Sequence, residues 1–249
     1  MSAISFAPDT DRCYNESINA KNHEKLQNRK CVQMTKGLET KRQLVMLTYQ
    51  MLCRQDASTI TVRDIAREKG CSAPAIYKYF ESLDYLIVVA SVQFLQEYME
   101  KYARLLDSGK PFLDIYMEGW ELFNHYAFQR PDIFYRLFWG NENQSFGDAF
   151  VDHFELFPLE GSKEYLAYYY ALMFNDNMRE RDFLVLRRAS NYQLMSEADA
   201  RYFSVTNPLI VKGLLLEAMS QTPEKRIETG KLCNALLRRN MKHVLPMEV

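Results

Sequence analysis

Apolar residues recur at spacings of three and four along most of this chain, and no run alternates them with polar residues between turn-forming positions. That period predicts helices throughout, and nine Gly and eight Pro in 249 residues leave few places to interrupt them. Residues 1–35 are the exception: they are polar, rich in Asn, Lys, Asp and Glu, and carry no sustained stripe. Such a segment buries too little apolar surface to offset the entropy of ordering, so a flexible N-terminal arm is expected there. From Gly37 the pattern changes, with Leu44, Leu47, Thr48, Met51 and Leu52 on one face of a first helix that should end over 54–58.

Two short helices follow. Thr61 is placed to cap one of them, with Asp64 at the third helical position as in a capping box and Val62, Ile65 and Ala66 facing inward. Gly70 supplies a left-handed residue to end it. Ser72 then caps a third helix with Pro74 in its first turn, where a missing N–H costs nothing, and Ile76, Tyr77 and Phe80 should close its inner face. A long fourth helix is predicted from Ile87, Ala90, Phe94, Tyr98, Tyr102 and Leu105. Beyond Pro111 the breakers leave about six further helices, the last two near 197–220 and 224–244. The expected fold is all-α. An arm over 1–35 precedes a three-helix domain over 36–82, a connecting helix over 83–110 and a larger helical domain over 111–249.

Composition changes this picture little. The chain is 47% hydrophobic and 13% aromatic, enough for a sizeable core, and the net charge is -1. Its distribution is uneven: residues 1–80 hold 13 Lys and Arg against 8 Asp and Glu, and residues 81–249 hold 18 against 24. A polyanion would settle on the N-terminal third. Towards the distal end of the arm, Lys21, Lys25, Arg29, Lys30 and Lys36 suit either a phosphate backbone or a solvated tail. No start-of-chain leader pattern is present, and the longest largely apolar run, Tyr165 to Phe174, is far short of the ~20 residues a bilayer needs, so a soluble cytoplasmic protein with no membrane partner is expected. Cys13, Cys31, Cys53, Cys71 and Cys233 are scattered, and free thiols are expected rather than a metal site or disulfides.

Two short helices around a glycine turn, the second slim on its outer face at Ala73, Pro74 and Ala75, have the form of a helix-turn-helix able to enter a major groove about 12 Å wide. The residues themselves add to this. Ile60-Thr61-Val62-Arg63-Asp64-Ile65-Ala66, Gly70-Cys71-Ser72 and Ala75-Ile76-Tyr77-Lys78-Tyr79-Phe80-Glu81-Ser82 closely resemble the DNA-binding region of TetR-family regulators, a likeness that spans 41–86. The resemblance implies that Thr61 and Arg63 meet phosphates, that Ser72, Ala73, Pro74 and Ala75 face base edges, and that Tyr77, Lys78 and Tyr79 hold the sugar-phosphate backbone of double-stranded DNA. Phe80 is expected in the core, as Tyr77 would be if it does not face the backbone. Ala57 and Leu83 stand where the family usually has Gly and Lys. Either DNA affinity is lower for want of that phosphate contact or Lys36, Lys41 and Arg42 compensate, and thin direct readout leaves room for DNA shape.

The same resemblance implies a homodimer formed by the two C-terminal helices as a four-helix bundle, with reading helices about 34–36 Å apart over a palindromic operator. It also implies a small-molecule effector in the second domain, where aromatic residues are dense; Trp120, Phe123, Tyr126 and Phe174 are the candidate pocket residues, with Asn124, His125, Arg136 and Asn175 as polar groups to orient a ligand. No phosphate-cradling, dinucleotide, zinc-protease or nucleophile-elbow motif occurs, so neither catalysis nor a cofactor is expected. Two alternatives stay open on sequence alone: a DNA-binding regulator without an effector, and an all-helical enzyme with a fortuitous N-terminal match.

Overall fold

A computed structural model describes residues 36–140, 146–158 and 177–244, and all regular structure among them is helical. The expected arm over 1–35 lies outside the described residues. Helix α1 (Lys36–Leu52) is followed by a 3-10 turn (Ala57–Thr59), α2 (Val62–Lys69) and the single turn of α3 (Ala73–Ile76). Next come α4 (Leu83–Ser91), a 3-10 segment (Val92–Leu95) and α5 (Gln96–Leu106). The rest of the described chain is α6 (Phe112–Ala127), α7 (Pro131–Trp139), α8 (Phe146–Leu156), α9 (Met178–Asn191), α10 (Glu197–Ala218) and α11 (Pro223–Asn240).

The connecting helix expected over 83–110 is not continuous. Ser91 is buried in mid-span and its hydroxyl donates to the Ile87 carbonyl at 2.7 Å, a local bond that competes with the helical ladder and bends helices. The 3-10 segment begins at the next residue. Just before it, Leu86, Ile87, Val88, Val89, Ala90 and Ser91 are all buried, so α4 is covered on every side rather than along one stripe. It packs against α1, α7 and α8, and one hydrophobic cluster runs from Leu44 to Met241 without a break at residue 82.

Polar groups reinforce that junction. Lys41 on α1 pairs with Asp152 on α8 at 2.9 Å, and the Tyr85 hydroxyl donates to the same carboxylate at 3.2 Å. Arg130, just before α7, grips Asp132 through two nitrogens at 3.0 and 2.8 Å and donates to the last carbonyl of α1, on Leu52, at 2.5 Å. A helix C-terminus has orphan carbonyls, and here a planar guanidinium satisfies one of them.

His153 on α8 is buried, and its Nδ1–H donates to the Val89 carbonyl of α4 at 2.8 Å. Burial lowers its pKa to about 4 from an ordinary 6.5, against the opposing pull of that carbonyl. The folded state therefore resists a proton that the unfolded chain accepts. Stability is lost as pH falls from 6.5 towards 4, by roughly 3 kcal/mol in all. Buried Asp182, with its pKa raised to about 7, works in the opposite sense over the same range. We therefore expect the denaturant-derived stability of wild type minus that of His153→Gln to fall by roughly that amount between pH 6.5 and 4. A flat difference would show that His153 takes no part.

Candidate nucleic-acid interface

The chain enters α2 through a closed cap. Thr61 accepts from the Asp64 N–H at 3.2 Å, and the Thr61 N–H donates back to the Asp64 carboxylate at 3.3 Å. This is the reciprocal bonding that the spacing of Thr and Asp predicts. At the other end Gly70 takes φ 70° and ψ 37°, the left-handed conformation, and Cys71 N–H donates to the Ala66 carbonyl at 3.0 Å. Ser72 is extended, as a cap residue should be, and its carbonyl accepts from Ala75 N–H at 2.9 Å; its hydroxyl makes no capping bond. That hydroxyl stays available.

Helix α3 is fastened from beneath by Ile76 and Phe80, which are 1% and 2% exposed. The remaining side chains are thereby sorted. Ser72, Pro74, Tyr77 and Lys78 are exposed, while Ala73, Ala75 and Tyr79 are half-buried. Tyr77 does not close the inner face with Ile76 and Phe80 as the periodicity suggests. The regular helix ends at Ile76, and the turn that follows swings Tyr77 outward to 49% exposure. The start of α1 lies alongside, with Gly37 facing the Tyr79 ring.

Charge around this edge is divided between free and committed groups. Arg63 and Lys78 are exposed and form no ion pair among the described residues. Thr61 is exposed, yet its hydroxyl is taken up by Asp64 at 2.5 Å. That bond comes first among the causes holding the Asp64 carboxyl below its ordinary range. Arg67 is bound to Asp64 at 2.8 Å, and Lys69 donates to Gln43 at 2.5 Å. Lys41 and Arg42, expected as substitute phosphate contacts, are engaged elsewhere: Lys41 with Asp152, and Arg42 over the Phe157 ring at 5.3 Å.

A second feature lies between α5, α6, α7 and α9, a cavity of about 90 Å³ walled by Tyr98, Tyr102, Tyr116, Trp120, Phe123 and Phe138, with Arg181 and Asp182 on one side. Of the pocket residues expected from sequence, Trp120 and Phe123 line it. Tyr126 stands outside the lining, edge-on to Tyr98 with their centroids 6.2 Å apart, and Phe174 falls outside the described residues. Asn124 is buried against Asn234 at 2.7 Å, His125 is exposed, Arg136 pairs with Asp84 at 2.9 Å, and Asn175 also lies outside the described residues. Sequence reasoning missed Asp182 and Arg181. No signal marks them, because 178–191 carries six charged residues and reads as a surface helix. It missed Gly119 too, where a Cβ would come within 2.8 Å of the Tyr102 ring, so the glycine lets that ring lie against α6.

Among the described residues no cluster of His, Cys, Asp and Glu is arranged to hold a metal ion, and no helix is long and apolar enough to cross a membrane. No protein-family model matches this chain, and no curated protein matches it.

The turn between α2 and α3 sets the angle at which the slim edge projects. A Cβ on Gly70 would meet nothing within 4 Å, so any penalty there comes from the backbone alone. We expect Gly70→Ala to cost about 1–2 kcal/mol in urea unfolding and Gly70→Asn clearly less, since Asn tolerates the left-handed region. Equal losses would point to packing rather than φ as the constraint.

Proposed function

We propose that this protein is a TetR-type transcriptional regulator that binds a palindromic operator as a homodimer, with its DNA affinity set by a small-molecule effector. One observation carries the reading. The exposed edge formed by Ser72, Pro74, Tyr77 and Lys78 projects from a turn locked by Gly70 and pinned by Ile76 and Phe80, with Arg63 free at the start of the bracing helix. A helix-turn-helix needs those parts: a brace, a tight glycine turn and a second helix whose outer face is slim enough for the groove. Lys78 and Arg63 supply charge for phosphates, Tyr77 and Tyr79 suit the sugar-phosphate backbone, and Ser72 with Ala73, Pro74 and Ala75 offers one hydroxyl and small apolar surface to base edges. So sparse a set of long polar side chains favours discrimination by DNA shape.

The dimer has its own support. Among the described residues, seven of the nine exposed large hydrophobic side chains sit on α10 and α11. On α10, Tyr202, Val205, Leu209 and Leu216 fall along one stripe, and the exposed Gly213 between the last two has open space above it, which permits close approach of another helix. Leu232 and Leu236 continue the apolar surface on the adjoining α11. A patch of this kind on helices that already pack together suits a four-helix bundle with a second copy of the chain.

Gel-shift titration against the DNA flanking the protein's own gene tests the reading. A specific shift whose affinity falls steeply with salt is expected. Lys78→Ala should weaken binding to all sequences and reduce the salt slope by about one unit, and an intact slope would remove Lys78 from the phosphate contacts. Leu209→Glu should convert the dimer to a monomer in sedimentation and abolish the specific shift, because one half-site alone binds weakly. A dimer unchanged by that substitution would place the interface elsewhere.

A further inference from the structure

Asp182 is 6% exposed, and both of its oxygens are held by neutral donors: the Tyr116 hydroxyl at 2.9 Å and the Trp120 indole N–H at 3.2 Å. No cationic side chain of the described residues lies within ion-pair distance of it. Arg181, its neighbour on α9, has its guanidinium over the rings of Phe138 and Phe146, at 5.2 and 5.1 Å from their centroids. A buried carboxylate without a counter-charge is costly, and two neutral hydrogen bonds leave half of its acceptor capacity unused. It borders an aromatic-walled cavity, and ring faces attract cations.

A chain of hydrogen bonds leads away from the same carboxylate. Asn207 on α10 donates to the Tyr116 hydroxyl at 2.9 Å, and Asn240 on α11 donates to Asn207 at 2.9 Å and to Thr206 at 2.8 Å. The chain ends at Tyr202, whose hydroxyl donates to Asn240 at 3.4 Å and whose ring belongs to the exposed apolar stripe of α10. Tyr116, Asn207 and Asp182 are all buried, so a change at one end is not screened by water along the way.

We propose that the cavity between α5, α6 and α9 binds a compact organic ammonium ion, held by the Asp182 carboxylate and the rings of Tyr98, Tyr102 and Trp120, and that α10 and α11 sense its presence through Tyr116, Asn207 and Asn240. The cation supplies the charge that Asp182 lacks. Once Asp182 is paired with it, Tyr116 shares its acceptor with a stronger donor, and the bond that Asn207 makes to Tyr116 must adjust. That this adjustment alters DNA affinity rests on the regulator reading above; that the cation binds does not.

Burial, opposed by the two donors, raises the pKa of Asp182 to about 7, so proton and ammonium ion compete for one carboxylate. Among the described residues, the other titratable or charged groups lining the cavity with it are Arg181 on its own helix, Tyr116 on α6, and Tyr98 and Tyr102 on α5. Binding should strengthen as pH rises from 6 to 8.

Three probes of similar size decide the matter: n-butylammonium, n-butanol and butyrate, titrated into the full chain while thermal midpoint and tryptophan emission are followed. Butylammonium should raise the midpoint and bind at least about tenfold more tightly than butanol, more so at pH 8 than at pH 6. Asp182→Asn keeps the shape and should abolish that preference. Asn207→Ala should retain binding but remove its effect on the gel shift. Equal affinity for butanol, retention of the preference in Asp182→Asn, or tighter binding of butyrate, which would place Arg181 in charge, overturns the cation site. These readouts need no DNA, and if Asp182→Asn fails to fold, the wild-type ranking of the three probes and its pH trend still decide. Butylammonium binding that leaves operator affinity unchanged overturns the coupling, whereas absence of any specific gel shift removes the regulator reading and leaves the cation site standing.

Discussion

The arrangement of this protein hangs on the burial of α4. Six consecutive buried residues, Leu86 to Ser91, cannot be covered by one neighbour, so α1 must lie on one side of this helix and α7 and α8 on others. At about 1.5–3 kcal/mol for each large apolar side chain removed from water, α4 alone supplies a large part of the cohesion between the N-terminal helices and the rest. Ser91 closes the stretch by bonding back to Ile87, and the helix path changes there. The polar clasps, Lys41 and Tyr85 on Asp152 and Arg130 on the end of α1, are partly exposed and add direction more than energy. They fix how α1, and with it α2 and α3, is presented.

That fixed presentation matters for a slim edge on a four-residue helix. Helix α3 is too short to be stable by itself, and its shape comes from the Gly70 turn before it and from Ile76 and Phe80 beneath it. Movement of α8 or α7 would be felt at α1 and α4 before it reached α3. The polar chain from Asp182 through Tyr116 and Asn207 to Asn240 runs a different way, towards the exposed apolar stripe of α10. The cavity thus has a hydrogen-bonded route to that stripe, and a packed route through Phe123 and Phe138 towards α7.

Much of the local structure was legible beforehand because it is decided within a few residues. The capping box of Thr61 and Asp64, the left-handed Gly70 and the extended Ser72 each follow from side-chain chemistry at short range. Tyr77 was not legible in the same way. Periodicity assigns it to an inner face only if the helix continues, and the helix stops one residue earlier. Pro208 lies inside α10 although proline opposes helix interiors, a case where burial among neighbours prevails over local preference.

Helical character along the described chain, and the capped path from Thr61 through Gly70 to Ser72, follow from residues close in sequence, since propensity, capping and hydrophobic period act along the chain. Only tertiary packing decided that Lys41 and Arg42 serve the junction with α8 and its C-terminal end rather than the outer edge, and that Tyr126 lies outside the cavity that Trp120 and Phe123 line. Packing also decided that Asp182 is deprived of water. The reason is physical: a charge is costly or harmless according to what surrounds it, and those surroundings come from helices more than sixty residues apart in the chain.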